Sequence, residues 1–158
     1  MKKILLAVLL VLCLASPGWG ERISVEVAVA AYQKGDYTTA LRQFRSLAES
    51  GDAGAQYNVG YMYDTGKGVQ ASYEEAVKWY RKAAEQGYPH AQNSLGDMYA
   101  AGQGVPQDYE EAYKWFALAA NQGIATAAQY RDMMAAKLSE TRLAEAKRLV
   151  ATFQPTKR

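Results

Sequence analysis

Apolar positions in the central part of the chain fall three and four residues apart, not alternately, so they write helices. In "YEEAVKWYRKAAEQG" (residues 73–87) the stripe runs Ala76, Trp79, Tyr80, Ala83 and closes at Gly87, one face of a 3.6-residue period. The stripe returns 36 residues later in "YEEAYKWFALAANQG", where nine of the fourteen positions from Glu110 to Gly123 repeat those from Glu74 to Gly87. A fixed period of this length marks stacked supersecondary units. Ser72 and Asp108 stand ahead of the two stripes with Glu75 and Glu111 three residues on. That spacing predicts capping boxes, in which a side-chain oxygen and a carboxylate satisfy free amides of the first turn. Gly87 and Gly123 stand where a left-handed residue ends a helix.

A second helix precedes each of these. Ala55, Gln56, Gly60 and Tyr63 recur as Ala91, Gln92, Gly96 and Tyr99, and "GKGV" at 66–69 recurs as "GQGV" at 102–105. A mid-helix glycine costs about 1 kcal/mol against alanine, which predicts that a neighbouring aromatic approaches closely at Gly60 and Gly96. The glycines of the two loops supply positive φ. Upstream, a tighter unit keeps Ala40, Phe44 and Gly51 in register, with Asp36 as its N-cap. Downstream, Ala125 to Lys137 continues the first-helix register with Asp132 in the glycine's place, and Ser139 caps a final helix bearing Leu143, Ala146, Leu149 and Val150. The expectation is eight helices in four pairs. The units run 21–54, 55–90, 91–126 and 127–158, and the last closes the core of a short solenoid.

The first twenty residues read differently. Cationic "MKK", the apolar run "ILLAVLLVLCL" and the closing "ASPGWG" have the layout of a secretory signal peptide. Gly18 and Gly20 suit positions −3 and −1 of a cut before Glu21. Eleven apolar residues reach about halfway across a bilayer's hydrocarbon core, and Leu12 ahead of Cys13 is not the small residue that lipid modification wants. Removing Lys2 and Lys3 from eighteen basic residues leaves sixteen, equal to the sixteen acidic ones. The mature chain is therefore expected to be neutral, without the basic footprint of a nucleic-acid binder. The one cysteine leaves with the leader, so the fold is held by packing, without disulfides.

"AQYNVGYMYDTGKGVQASYEEAVKWYRKAAEQG" and "AQNSLGDMYAAGQGVPQDYEEAYKWFALAANQG" closely resemble SEL-one-like repeats, a branch of the tetratricopeptide-repeat superfamily. Gly, Tyr, GxGV, Ala, Trp-aromatic and Ala-Ala positions carry the likeness over 55–123. Residues 22–54 are more similar to a tetratricopeptide unit through Gly35, Asp36, Tyr37, Ala40 and Phe44. Gln70 stands where Pro106 stands in the next unit, and the fourth unit lacks the signature. The resemblance implies an all-α, right-handed α-solenoid of antiparallel helix pairs serving as a protein-interaction scaffold.

Little in the chain suggests chemistry. His90 is the sole histidine, with no second ligand or nucleophile spaced to it. The pairs Glu74-Glu75 and Glu110-Glu111 suit helix N-termini. "TGKG" at 65–68 lacks the upstream glycine and following Ser or Thr of a phosphate loop, and no S-x-x-K is present. Neither catalytic residues nor cofactor or metal ligands are expected.

The resemblance places first helices along a concave groove, where packing leaves side chains free to vary. Carried over, it puts Val25, Val29 and Tyr32, then Tyr57, Tyr61 and Asp64, then His90, Asn93 and Asp97 along that groove, extended by Gln129 and Met133. The candidate partner-binding residues are Tyr32, Tyr57, Tyr61, Asp64, His90, Asn93 and Asp97. Tyr57 and Tyr61, four apart, are expected to present their rings as one patch. The resulting expectation is an exported, periplasmic or secreted module that binds a peptide or protein. The alternative is a binder of a small ligand or cell-wall fragment. N-terminal sequencing of exported material should find a chain beginning near Glu21; Met1 retained on a cytosolic protein would sink the leader reading.

Overall fold

The computed structural model describes residues 24–156. The expected leader with Cys13 and the expected cut before Glu21 lie outside the described residues. Among the described residues are eight α-helices and no strand: α1 (Val25–Gln33), α2 (Tyr37–Glu49), α3 (Ala53–Thr65), α4 (Tyr73–Glu85), α5 (Pro89–Ala101), α6 (Tyr109–Asn121), α7 (Ala125–Ala135) and α8 (Glu140–Thr152). Consecutive pairs α1/α2, α3/α4 and α5/α6 pack as antiparallel hairpins, and each second helix also packs on the next pair's first helix. The result is an α-solenoid of helix pairs.

Local chemistry sets the helix limits. Asp36, Asp52, Ser72, Asp108 and Ser139 each accept a hydrogen bond from a first-turn amide, and α5 starts instead on Pro89, whose missing N–H costs nothing at that position. At the C-termini of α2, α4 and α6 the left-handed glycines are Gly51, Gly87 and Gly123. Behind them Asp52, Tyr88 and Ile124 return their amides to Leu47, Ala83 and Ala119, the paired closure that a left-handed C′ residue permits. The capping boxes form only in part. Ser72 Oγ accepts from Glu75 N and Asp108 Oδ1 from Glu111 N, but the cap amides bond to Tyr63 O and Tyr99 O of the preceding helix. With those amides satisfied across the pair, Glu75 and Glu111 turn outward to Lys78 and Lys114.

Packing within a pair rests on a ring set against a glycine. A Cβ built on Gly60 would lie 2.7 Å from the Tyr80 ring, and one on Gly96 2.8 Å from Phe116. Tyr80, Phe116, Trp79 and Trp115 are all buried, as the stripe predicted. Between pairs, the GxGV loops reach across to the preceding unit. Gly68 lies against the Tyr37 backbone and Gly104 against Tyr73, where a Cβ would come within 2.5 and 2.4 Å. Buried glutamines add a second fastening. Gln56 Nε2 donates to Ala48 O (3.1 Å) while its Oε1 accepts from Gln86 Nε2 (2.7 Å). Gln92 repeats this with Ala84 O and Gln122. Each clamp satisfies a C-terminal helix carbonyl and joins three successive helices.

The last unit departs from the others. α8 lies mainly against α6 and touches α7 little. Asp132 fills the glycine position of α7 and α8 offers no Trp-aromatic pair, so the ring-over-glycine seat is not made. α8 instead lays Leu143, Ala146 and Val150 on the cluster around Tyr113, Phe116 and Met134, and Arg142 pairs with Glu110 (2.9 Å). Beyond it the chain turns back along the second helices: Phe153 meets Trp115 edge-on, and Thr156 donates its amide to Glu85 O at 2.8 Å.

Gly60→Ala should destabilise the chain by about 1–3 kcal/mol in urea unfolding through overpacking, although alanine is the better helix former. The same change on a Tyr80→Leu background should cost clearly less. Equal costs on both backgrounds would remove the ring as the reason for the glycine.

Candidate functional site

The expected groove residues fall on the surface lined by α1, α3, α5 and α7, but they divide into two clusters and do not form one row of free side chains. The upstream cluster is filled from within. Lys67, from the GKGV loop, donates to Tyr32 Oη and places its Nζ 4.8, 5.4 and 5.3 Å from the ring centroids of Tyr32, Tyr37 and Tyr61. Tyr32 and Tyr61 thus form, with Tyr37, a cage around an ammonium group, an attraction between cation and ring face. The hydrogen bond from Lys67 to Tyr32 pushes the lysine's pKa upward.

The downstream cluster is built around Tyr57. Its ring centroid lies 5.7 Å from Tyr80, 5.5 Å from Tyr88 and 6.0 Å from His90. Tyr57 and Tyr61 therefore serve different neighbours, because Tyr88 and His90 draw one ring downstream while Lys67 engages the other. Both are half-buried and rest on the main core, so truncating them removes packing as well as surface. Ser94 interacts with the hydroxyls of both Tyr57 and Tyr80.

Beside these rings lies a row of acceptors. Asp64 accepts from Tyr80 Oη at 3.2 Å; burial pushes its carboxyl up, and that hydrogen bond offsets part of the shift. Asn93 Nδ2 makes a long contact with Asp97 Oδ2 (3.4 Å), while Asn93 Oδ1 is shut away from solvent and accepts nothing. The Asp97 carboxyl is pushed up to about 6, first by burial and then by repulsion from Asp64. Among the described residues no ion pair involves Asp64 or Asp97. At the ends of the face Val25, Val29 and Met133 are exposed, as is Gln129.

Tyr37, Lys67, Tyr88 and Ser94 were not among the expected site residues. Tyr88 and Ser94 carried the available signal, since neither recurs: Asp52 and Ile124 hold the position of Tyr88, and Asn58 and Tyr130 that of Ser94. Open clefts also line the second-helix face. One of about 520 Å³ lies among Arg81, Tyr99, Trp115 and Phe153, and another of about 720 Å³ among Val77, Trp79, Lys82 and Val105. They follow from ridges between second helices and gather none of the expected residues. Among the described residues no three His, Cys, Asp or Glu side chains gather as a metal would need.

The raised Asp97 pKa has a consequence for stability. A carboxyl at about 6 when folded and roughly 3.9 when unfolded contributes stability that is fully present below the unfolded value. That contribution is lost as pH rises through about 6. Asp97 keeps more than a third of its surface in water, so screening trims the effect. Asp97→Asn should raise the melting temperature by about 3 °C at pH 8, with the gap closing toward pH 4. A gap independent of pH would show the carboxyl to be unperturbed.

Comparison with known proteins agrees with this geometry. The family model described as Sel1 repeat matches residues 53–88 and 89–124. None of the curated proteins compared matches. Among solved structures, the chain is similar to a protective antigen present in uropathogenic Escherichia coli strains that displays an SLR fold. The TM-score is 0.76 and the identity 32%, over 81% of this chain and 28% of that one. It is also similar to a Sel1 repeat protein from Oxalobacter formigenes, with a TM-score of 0.68 and 29% identity over 83% of this chain and 56% of that one. The chain thus spans well under two thirds of either neighbour. With two matched units, eight helices among the described residues and glycine-seated rings in each matched pair, the chain carries two Sel1 repeats and shares the SLR fold of these neighbours.

Proposed function

We propose that this chain is an exported interaction module that holds a peptide or protein segment along the concave surface lined by its first helices. Sel1 repeat proteins act in general as protein-interaction scaffolds. The observation that carries the reading is the division of labour between recurring and non-recurring positions. Recurring side chains such as Ala76, Tyr80, Ala112 and Phe116 are buried. The non-recurring Tyr57, His90, Asn93 and Asp97 share one face across two successive units and keep contact with solvent. A face that packing does not dictate, rich in tyrosine and amide groups, suits recognition by aromatic area and directed hydrogen bonds. The signal-peptide layout of residues 1–20 supports a periplasmic or secreted destination, and no described helix is long and apolar enough to cross a membrane.

The test avoids the core-bound tyrosines. His90→Ala with Asp97→Ala changes exposed side chains of the first-helix face, and Lys78→Ala with Lys82→Ala changes exposed side chains of the opposite face. Arg81 is a poorer control because it donates to Tyr99 Oη at 2.7 Å. Co-purification from envelope extract should lose about 2 kcal/mol of affinity or more with the first pair if these residues are hot spots, and little with the second. The reverse result would move the site to the second-helix face. A thermal-shift screen with cell-wall fragments tests the small-ligand alternative, since a ligand bound to the folded state raises the melting temperature.

A further inference from the structure

We infer that the face formed by Tyr57, Tyr88 and His90 with Asp64, Asn93 and Asp97 receives an arginine side chain from an extended partner polypeptide. The inference rests on the groove reading above and names the chemistry it would recognise. Three features point to a cation with several donors. First, the row beside the rings consists of acceptors: two carboxylates that no described cation pairs, and the Asn93 carbonyl oxygen. That oxygen is shielded from water and unpaired, so a turn of the Asn93 amide toward an incoming donor satisfies it.

Second, the neighbouring unit shows what such a place holds when it is filled. There Tyr61 and its partners surround the Lys67 ammonium. The 36-residue register puts Asp97 at the position of Tyr61 and Gln103 at that of Lys67. The downstream unit has therefore gained a negative charge where it has lost the internal cation, so a cation from outside completes it. Third, Tyr57, Tyr88 and His90 supply flat rings next to the acceptors, with centroids 5.5–6.0 Å apart. A guanidinium is planar, weakly hydrated and carries five donors in a fork, so it stacks on rings while bonding to two carboxylates and an amide oxygen. A lysine ammonium lacks the plane and binds here less well. A metal ion is a poor fit, because the described residues offer no third acidic, histidine or cysteine ligand.

The experiment uses the purified chain and four pools of capped nonapeptides with randomised flanks, fixed at the centre as arginine, citrulline, lysine or glutamate. Citrulline keeps the shape of arginine and removes its charge. Binding is read by fluorescence polarisation, and its location by the NMR shift of the Asn93 side-chain amide. The arginine pool should bind at least about tenfold more tightly than the citrulline pool, lysine should fall between, and glutamate should bind least. Asp64→Asn and Asp97→Asn should each shrink that preference while leaving the helical circular dichroism unchanged. Equal binding of the arginine and citrulline pools with shifts at Asn93 overturns the arginine assignment and leaves the groove reading standing. A preference that survives both substitutions also overturns it. If no pool shifts Asn93, both readings fall.

Discussion

The seat of an aromatic ring on a glycine is the contact on which this fold depends. Tyr80 on Gly60 and Phe116 on Gly96 let two helices approach until ring and backbone touch. Two further fastenings of these hairpins go with that distance. With the hairpin closed, the cap amides of Ser72 and Asp108 reach Tyr63 O and Tyr99 O. The buried glutamines can then span three helices. At the C-terminal end, where the seat is missing, the arrangement changes. α7 carries Asp132 in place of the glycine, and α8 settles on α6, ending the stack with a helix laid across an earlier unit.

The same contact decides which side chains remain free. Ring, glycine, alanine and glutamine positions are committed to the core, so the two repeats differ at other positions of their helices and loops. There the two repeats part company. One unit turns its tyrosines around its own Lys67. The next exchanges Tyr61 for Asp97 and Lys67 for Gln103, leaving acceptors and rings without an internal cation. A scaffold of near-identical units acquires a distinct surface in this way, through changes at positions outside the recurring ring, glycine, alanine and glutamine set.

The 36-residue period, the helix starts at Asp36, Ser72, Asp108 and Ser139, and the glycine stops at Gly87 and Gly123 were legible in the sequence. Each is a local matter: an amide and its cap lie within three residues, and the hydrophobic stripe repeats within two turns. The close approach at Gly60 and Gly96 was legible too, since a helix keeps a costly glycine where space demands it. The orientation of the site was not. Whether Tyr61 faces a partner or Lys67, and whether Tyr57 joins Tyr61 or turns to Tyr88 and His90, depends on groups brought from other helices and loops. So does the turning of Glu75 and Glu111 away from their caps. The sequence by itself determined what repeats, because repetition is written in short-range hydrogen bonding and in the volumes of recurring side chains. Only the tertiary structure decided what the non-recurring residues face, because their partners come from other elements and are set by the spacing of the stacked helices.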